Sequence, residues 1–384
     1  MTAPAPAPVL VVNAGSSSLK LSVVADGAVT AREVIDRWDG TASAPDLRAC
    51  LDRLVSLPGT RPAAVGHRVV HGGMRFTSAT VIDAAVLGEI GRLVPLAPLH
   101  QPRALAGIEA ARAMFGALPQ VACFDTAFHA TLPPRARTYP LPAAWRDRFG
   151  LRKFGFHGLS HSYAARRAAS LLHVAEPGRF RVVTSHLGAG SSLAAVSGGH
   201  SVDTTMGFTP LDGLVMATRS GSIDPGLIVW LADPHRVGLA ELADGLEHRS
   251  GLAALADLAE PGGDMRAVVA AAERGDRGAL LALDVHAHRL VGAIAAMAAA
   301  MNGIDALVFT GGIGEHSPVV RAAAAAGLGF LGVEVDPGRN LAAQADADIS
   351  VDGARVRTLV VTAGEDLEIA RDVIQVLSGA ESPR

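Results

Sequence analysis

The chain has 384 residues, of which 49% are hydrophobic and 18% are charged, and its formal net charge is −3 at pH 7. This length allows about two or three domains with sizeable cores, and this charge lacks the basic excess typical of nucleic-acid-binding proteins. The two cysteines, Cys50 and Cys123, are too few for a disulfide framework. The opening MTAPAPAPVL does not resemble a signal peptide, so we expect a soluble cytoplasmic protein with no membrane or nucleic-acid partner.

The first predicted element is a hairpin around a small polar turn, in VLVVNAGSSSLKLSVV. Val9–Val12 is a continuous apolar run and predicts a buried strand, and Leu19–Val24 predicts its partner. Gly15 and the serines between them offer backbone N–H groups and hydroxyls that suit a phosphate. An ordinary Gly/Ser hairpin turn has the same composition, so both interpretations remain open.

The next elements are a strand over Ala63–Val70, which leads into HRVVHGG, and a helix that Pro102 opens and Gly116 ends. A short strand over Gln120–Phe124 then presents Asp125 at its end. The proline-rich TLPPRARTYPLP that follows is the best candidate for a domain junction.

The second half of the chain repeats the opening pattern. A helix is predicted from about Ser162 to Leu172, and Arg181–Gly199 again reads as strand, Gly/Ser loop and strand. Its GAGSSLAAV is similar to AGSSSLKLSVV, which predicts a duplicated architecture.

Towards the end of the chain, a strand over Ala306–Thr310 precedes a glycine loop, GGIGEH, and a helix that begins at Ser317. A last strand, Thr358–Thr362, is followed by Glu365 and a helix, and Leu290–Met301 predicts a buried helix. Because strands and helices alternate throughout, the predicted fold class is α/β.

Three glycine-rich loops therefore follow predicted strands, at residues 13–18, 188–192 and 311–315. Together they favour a nucleotide site, although the chain has no G-x-x-x-x-G-K-[ST] motif and no protein-kinase catalytic loop. A phosphoryl-transfer enzyme of another type remains open.

Two arginines, Arg68 and Arg219, lie beside glycines and small residues. A guanidinium there can bind a carboxylate or a phosphate in a two-pronged way. An ordinary ion pair is the alternative for each.

Four acidic residues are candidates for a metal site: Asp125, Asp203, Asp224 and Glu365. Asp125 and Glu365 follow predicted strands, where active-site carboxylates of α/β proteins project, and Mg²⁺ takes one or two carboxylates. A helix N-cap or a turn is the alternative for each.

Two histidine pairs, His67/His71 and His157/His161, have the four-residue spacing of helical zinc ligands. Neither pair contains the H-E-x-x-H glutamate, and both segments hold glycines typical of turns. A phosphate partner or a buried structural histidine is the alternative.

Taken together, these motifs resemble the acetate kinases of the acetate/butyrate kinase family. The similar stretches are NAGSSSLK, GHRVVHGG, APLH, CFDTAFH, FGFHGLSH, SHLGAGSS, TPLDGLVMATRSGSIDP, FTGGIGEHS and GED, in the family's order. The resemblance implies a two-lobed, duplicated actin-like ATPase (ribonuclease H-like) fold with mixed sheets flanked by helices. The Pro/Ala-rich composition of residues 1–8 predicts a disordered leader. The resemblance also implies an N-terminal lobe (9–130 and 367–384) and a C-terminal nucleotide-binding lobe (131–366) that forms a homodimer.

The activity implied by the resemblance is reversible transfer of a phosphoryl group from ATP to acetate, which gives acetyl phosphate and ADP by direct in-line attack. Mg²⁺ is the implied cofactor, with Mn²⁺ as a substitute. The matching catalytic residues are Arg68, Asp125, His157 and Arg219. The matching acyl-substrate residues are Arg68, Val70, Leu99, His100, Phe156 and Pro210. The matching ATP and phosphate residues are Ser16, Ser18, Lys20, His186, Gly188, Gly190, Asp264, Met265, Arg266, Gly311, Gly312, Ile313, Gly314 and Glu315. The matching metal residues are Asn13, Asp125 and Glu365.

The sequence departs from the family's pattern at three places. Ala189 stands where Asn is usual, TAGED where TNEE is usual, and Gln101 where Asn is usual after His100. Because of these departures, the sequence does not decide which compound donates the phosphoryl group. Val70 predicts a tight acyl pocket that favours acetate over propionate. A propionate or butyrate kinase, a non-catalytic ATP-binding protein on the same fold, and a zinc hydrolase remain as alternatives.

Overall fold

The computed structural model describes residues 7–15, 18–36, 38, 40, 45–56, 59–233, 235–258, 263–344 and 346–379. The predicted leader therefore lies outside the described residues, apart from Ala7 and Pro8, and so does Ser16 of the first phosphate loop.

Strands and helices alternate along the described residues, as expected for an α/β chain. The strands are β1 (Val9–Ala14), β2 (Ser18–Ala25), β3 (Ala28–Asp36), β4 (Ala64–Val69), β5 (Thr80–Val81), β6 (Gln120–Phe124), β7 (Arg181–Leu187), β8 (Ser191–Ser197), β9 (His200–Thr204), β10 (Ala306–Thr310), β11 (Ala347–Asp348) and β12 (Arg357–Val360). The helices are α1 (Pro45–Ser56), α2 (Ala84–Arg92), α3 (Gln101–Phe115), α4 (Pro134–Arg137), α5 (Ala143–Phe149), α6 (Gly158–Leu171), α7 (Pro225–Leu231), α8 (Leu239–His248), α9 (Gly251–Ala256), α10 (Met265–Glu273), α11 (Arg277–Ala300), α12 (Gly311–His316), α13 (Pro318–Ala326), α14 (Pro337–Ala342) and α15 (Glu365–Leu377). Short 3₁₀ helices occupy Val94–Leu96, Ala127–Thr131, Pro177–Arg179 and Gly329–Leu331.

The chain divides into two compact units. Unit 1 comprises Met1–Ala130, Phe156–Tyr163 and Gly364–Arg384, and unit 2 comprises Thr131–Gly155 and Ala164–Ala363. The units differ from the lobes expected from the sequence at 156–163 and at 364–366, which belong to unit 1.

The sheet of unit 1 has the strand order β3-β2-β1-β4-β6-β5. β1, β2 and β3 form an antiparallel meander, as the hairpin prediction requires, whereas β1, β4 and β6 are parallel. Helix α15 packs on one face against Val9, Val11 and Cys123. Gly66 in β4 permits this close approach, because a Cβ there would lie 2.6 Å from the Ile369 side chain.

The sheet of unit 2 has the order β11-β12-β10-β7-β8-β9, which is the unit 1 order read from the other end. β7, β8 and β9 form the meander, and β7, β10 and β12 are parallel. The predicted duplication is therefore confirmed at the level of topology. The core of unit 2 lies between this sheet and a helical layer that includes Leu252, Val268 and Ile294.

Three elements differ from their predictions. The helix expected from Ser162 begins already at Gly158. The GGIGEH loop is a helix, α12, because Arg321 donates to the Gly314 and Glu315 carbonyl oxygens and so satisfies its last turn.

The apolar stretch predicted as a buried helix belongs to α11, which is buried along only one face. Ala282, His286, Leu290 and Ile294 lie on that face, whereas Leu280 is exposed. Among the described residues, Arg277–Ala300 is the helix long and apolar enough to cross a membrane, and one such helix is weak evidence for a span.

Candidate active site

Polar side chains of unit 1 meet where its parallel strands end. Asn13 lies near the end of β1, Arg68 lies near the end of β4, and Asp125 follows β6 directly. Because the carboxyl ends of parallel strands lie at the same sheet edge, three positions far apart in the sequence become neighbours. Glu365 joins them from the first turn of α15.

Arg68 and Asp125 form a two-pronged ion pair. Arg68 Nη2 donates to Asp125 Oδ2 at 2.7 Å, and Arg68 Nε donates to Asp125 Oδ1 at 3.1 Å. The Arg68 side chain is 13% exposed and that of Asp125 is 1% exposed. Glu365 Oε2 lies 3.7 Å from Arg68 Nη1 and completes a carboxylate pair around one guanidinium. The ion pair offered as the alternative for Arg68 is thus present, but within the predicted site.

Both the nitrogen and the oxygen of the Asn13 side-chain amide form hydrogen bonds. Its Nδ2 donates to Glu365 Oε2 at 3.0 Å and to Asp366 Oδ1 at 3.3 Å, while its Oδ1 accepts from Arg68 Nη1 at 3.2 Å. The oxygen expected to face a metal is therefore engaged by Arg68 in this structure. Asn13 acts here as the link between the arginine and the acidic residues.

The carboxylates of this cluster stabilise the positive charge of Arg68. Burial lowers the pKa of Arg68, but the carboxylates of Asp125 and Glu365 outweigh burial, with a smaller part from Asp366, and raise that pKa above its usual value. Arg68 therefore stays cationic. Two carboxylates from different elements provide the hard oxygen donors that Mg²⁺ takes together with phosphate oxygens and water, so the donor set fits this ion.

His157 is connected to the acidic cluster through the backbone of the residue that follows it. It has a φ of +55°, in the left-handed region, immediately before α6 begins. The next N–H, of Gly158, donates to the Asp125 carbonyl oxygen at 2.9 Å. This bond fixes the backbone of the predicted catalytic histidine to that of the predicted catalytic aspartate.

The predicted acyl-substrate residues of unit 1 differ in burial. Val70 and Phe156 are buried, and the Phe156 ring meets the His71 ring edge-on, with centroids 5.5 Å apart. His129 Nε2 lies 3.0 Å from the Phe156 carbonyl oxygen. Leu99, by contrast, is exposed.

Two further acyl-substrate residues take loop or terminal positions. His100 occupies the N-cap position of α3 without a side-chain capping bond. Pro210 belongs to unit 2, in the loop whose Phe208 N–H donates to the Tyr139 hydroxyl at 2.8 Å.

The first phosphate turn is described only in part. Gly15 N–H donates to the Ser18 carbonyl oxygen at 2.8 Å, which closes the hairpin. Ser18 and Lys20 lie in β2, and Lys20 is exposed. The strands on either side of the turn therefore pair as the predicted hairpin.

The corresponding turn of unit 2 lies between β7 and β8. Gly188 N–H donates to the Gly190 carbonyl oxygen at 3.1 Å and lies 3.3 Å from Ser191 Oγ. Ala189 uses its carbonyl oxygen to accept from Ala217 N at 3.2 Å, which ties the turn to the segment that carries Arg219. His186 lies near the end of β7 and is half-buried.

Arg219 is the second candidate arginine, and its side chain is 15% exposed. Among the described residues its ion-pair partner is Glu247, with Nε and Oε1 3.7 Å apart. Burial lowers the pKa of Arg219, and Glu247 partly offsets this effect. A poorly solvated guanidinium with one distant counter-charge is suited to an anionic ligand.

The GGIGE segment forms the first turns of α12. Gly311 has a φ of +77°, and a Cβ there would lie 2.7 Å from the Leu187 carbonyl oxygen, so only glycine fits. Glu315 Oε1 accepts from Gly311 N at 3.1 Å and from Ala363 N at 2.9 Å. Gly312 has open space around it, whereas Gly314 packs on Phe309. Ile313 lies between them and packs against the unit 2 core.

The predicted adenosine-side residues 264–266 form the start of α10. Asp264 caps the helix by accepting from Arg266 N at 2.8 Å, and it also pairs with the exposed Arg266 side chain at 2.7 Å. The hydrogen bond from Arg266 lowers the pKa of Asp264. Met265 is buried in the unit 2 core.

The remaining acidic candidates have structural partners. Asp203 pairs with Lys153 at 3.0 Å, and Asp224 caps α7 by accepting from Gly226 N at 2.8 Å. The contact of Asp224 is that of the helix N-cap given as its alternative, whereas Asp203 lies within β9 and is neither a helix N-cap nor a turn residue.

The histidine pairs do not form helical zinc motifs. His67 lies in β4 with its Nε2 2.8 Å from Gln120 Oε1, and His71 lies in the turn after that strand. His157 precedes α6, and only His161 lies within it. Within the described ranges, no group of three or more His, Cys, Asp or Glu residues is arranged to hold a metal ion.

Sequence reasoning missed two residues of the unit 1 cluster. Asp366 accepts from Asn13, and Arg32 on β3 donates to Asp366 Oδ2 through Nη2 at 3.0 Å. The GED motif points to Asp366, which follows Glu365 in the first turn of a helix. No local signal points to Arg32, because its partner is 334 positions away.

The two sheets share one strand order, and charged side chains lie at the strand ends of unit 1. These features are those of a phosphotransferase with the actin-like ATPase fold. The Acetokinase family matches residues 47–371, more than half of the chain. The chain belongs to this family.

Individual relatives agree with this assignment. The chain is 45% identical to acetate kinase of Leifsonia xyli subsp. xyli, over 96% of this chain and 99% of that protein. The crystal structure of Porphyromonas gingivalis acetate kinase matches with a TM-score of 0.87 at 31% identity, covering 97% of this chain and 100% of that one. A propionate kinase from Francisella tularensis matches with a TM-score of 0.84 at 35% identity, covering 96% and 99%.

Proposed function

We propose that this chain is a kinase of acetate, which transfers a phosphoryl group reversibly from ATP to acetate and forms acetyl phosphate and ADP. The observation that carries the proposal is the buried Arg68–Asp125 pair with Glu365 beside it, in a chain of the Acetokinase family. Transfer between two anions needs alignment and neutralisation of charge more than covalent help from the protein. Arg68 can supply positive charge to the reacting anions, and its contacts with Asp125 and Asn13 limit where its guanidinium can lie.

Within unit 1, Arg68 would bind the phosphoryl oxygens or the acetate carboxylate, and His157 would donate to the phosphoryl group. Asp125 and Glu365 would hold Mg²⁺, or Mn²⁺ in its place, with Asn13 nearby. When bound, the ion offsets part of the phosphate charge. The Arg68 guanidinium now pairs with the carboxylates of Asp125 and Glu365. We infer that it shifts towards the substrate anion when the site fills.

Within unit 2, Arg219 and His186 would neutralise phosphate charge, because Arg219 is largely buried and only loosely paired. The turn around Gly188 and the α12 segment would lie against the nucleotide, with residues 264–266 on the adenosine side. We propose direct in-line attack by an acetate oxygen on the phosphorus, without a phosphorylated enzyme intermediate.

For the acyl group we propose a tight pocket in which Val70 and Phe156 limit the length of the acyl chain that can bind. One methylene changes discrimination by only about 1–3 kcal/mol, so propionate should react more weakly than acetate. The likeness to a propionate kinase at 35% identity favours propionate as the second candidate substrate.

We further propose that the protein is a homodimer and acts in the cytoplasm. Support for self-association comes from exposed apolar side chains of unit 2, namely Leu227, Val229 and Trp230 on α7 and Leu239 at the start of α8. A stable dimer would cover such a surface. Sedimentation of the purified protein tests this, and a monomer at micromolar concentration would contradict it.

The test of the activity is formation of acyl phosphate, trapped with hydroxylamine, from ATP, Mg²⁺ and each of acetate, propionate and butyrate in parallel. We expect the highest kcat/KM with acetate. A preference for a longer acid would agree with the proposed phosphoryl transfer but would contradict the proposed tight acyl pocket. If folded protein binds ATP but forms no product, also with GTP or pyrophosphate as donor, the chain is a non-catalytic nucleotide-binding protein.

A further inference from the structure

The acidic cluster of unit 1 extends to the protein surface through one arginine. Arg32 lies on β3 and its side chain is 53% exposed, whereas the Asp366 carboxylate that it binds is 7% exposed. Asp366 in turn accepts from Asn13 Nδ2, and the same amide group donates to Glu365. The contacts therefore run from Arg32 through Asp366 and Asn13 to the carboxylate beside Arg68.

Arg32 has an electrostatic consequence for the site. Three carboxylates, Asp125, Glu365 and Asp366, act on the single guanidinium of Arg68. Arg32 is a further cation in hydrogen-bond contact with this group, and it binds the carboxylate of Asp366, which is the farthest from Arg68 along the network. Without it, the cluster would carry one more uncompensated negative charge at the place where phosphate groups are proposed to bind.

Arg32 also has a geometric consequence. Asp366 uses one carboxylate oxygen for Arg32 and the other for Asn13, so the two contacts fix the plane of the carboxylate. That plane in turn fixes the direction in which Asn13 presents Nδ2 to Glu365 and Oδ1 to Arg68. If Arg32 is removed, Asp366 is free to rotate and to compete with Glu365 for the amide.

We propose that Arg32 is a positioning residue for the active site: it holds and neutralises Asp366, and through Asn13 it sets the arrangement of Glu365 and Arg68. It touches neither the substrate nor the reacting atoms. The inference rests on the proposed kinase activity and adds to it a residue outside the sequence motifs that carry the family resemblance.

The test measures the reverse reaction, from acetyl phosphate and ADP, for the whole protein carrying Arg32→Gln. We expect the KM for acetyl phosphate to rise by about threefold, the scale of a partly exposed ion pair, with a smaller change in kcat. The rise should shrink at high salt, because the additional negative charge is then screened. Arg32→Lys should restore most of the wild-type KM.

The chain offers a matched control at a residue that also pairs with β3. Arg53 is 57% exposed and pairs with Glu33 of β3 at 2.9 Å, so Arg53→Gln removes the same charge at similar exposure but away from Asp366. We expect wild-type kinetics from Arg53→Gln. Equal effects of the two glutamine variants would show that only net charge matters and would overturn the proposal.

A double-mutant cycle with Asp366→Asn separates positioning from general damage. If Arg32 acts through Asp366, adding Arg32→Gln to Asp366→Asn should change KM little further. Additive effects, or an Arg32→Gln variant with wild-type KM, would overturn the inference. An inactive wild-type protein would instead contradict the proposed function, so the two failures are distinguishable.

Discussion

The substitution Gly158→Ala tests whether the backbone at Asp125 must stay where α6 holds it. A Cβ on Gly158 would lie 2.2 Å from the Asp125 carbonyl oxygen and 2.8 Å from Phe128 Cβ. Real Cβ atoms essentially never come closer than 3.0 Å to a neighbour, so the two segments must separate by roughly 1 Å. The bond from Gly158 N–H to Asp125, now 2.9 Å, would lengthen accordingly.

The expected result is a loss of about 100-fold in kcat, which is the size of effect that a 1 Å misplacement of catalytic groups can produce. Asp125 orients Arg68 through the 2.7 Å contact, so both side chains move together. The assay is hydroxylamine trapping of acyl phosphate at saturating acetate and ATP, with a thermal unfolding curve for each protein.

The control is Gly88→Ala in α2 of the same unit, where a Cβ meets nothing within 4 Å. We expect it to keep wild-type kcat and to unfold at the wild-type temperature or slightly above, because alanine favours helix by about 1 kcal/mol over glycine. A folded Gly158→Ala protein with wild-type kcat would refute the reasoning that this contact holds Asp125 in place.

Two further predictions concern unit 2 and pH. Arg219→Ala should lower kcat on the order of 1,000-fold, since it removes a guanidinium proposed to neutralise phosphate charge, and near-normal turnover would contradict that role. Burial lowers the pKa of His67 and of His71 to about 4 from about 6.5. The unfolded chain therefore binds more protons between these values, and the free energy of unfolding should fall with decreasing pH by about 1.4 kcal/mol per unit for each histidine. Urea unfolding between pH 7 and 5 checks this, with His67→Gln expected to flatten the slope.

The hairpin and the parallel strands could be predicted from the sequence because their signals are local. Val9–Val12 and Gln120–Phe124 are apolar runs bounded by turn residues, and they form β1 and β6 as expected. Asp125 was recognisable as a candidate because it follows such a run, and Arg68 because it lies beside glycines and small residues. Their contact follows from the parallel pairing of β4 and β6.

Other features depend on contacts that no local pattern encodes. Three glycines in GGIGEH favour a loop, but Arg321, 1% exposed, donates to two carbonyl oxygens of the segment and stabilises it as α12. Arg32 reaches Asp366 only after the whole of unit 2 has intervened in the sequence. Such tertiary contacts override propensity, and a single sequence does not reveal them.

The identical strand order of the two sheets allows their strand ends to be compared position by position. In unit 1 these ends carry polar or ionised side chains: Asn13, Arg68 and Asp125. In unit 2, β7 and β10 run directly into glycines, Gly188 and Gly311, after the polar residues His186 and Thr310. The two copies of the scaffold therefore differ at these strand ends, with an arginine–aspartate ion pair in one copy and glycines directly after the strands in the other. Exchanging the end residues between the copies would therefore not conserve function, even though it conserves topology.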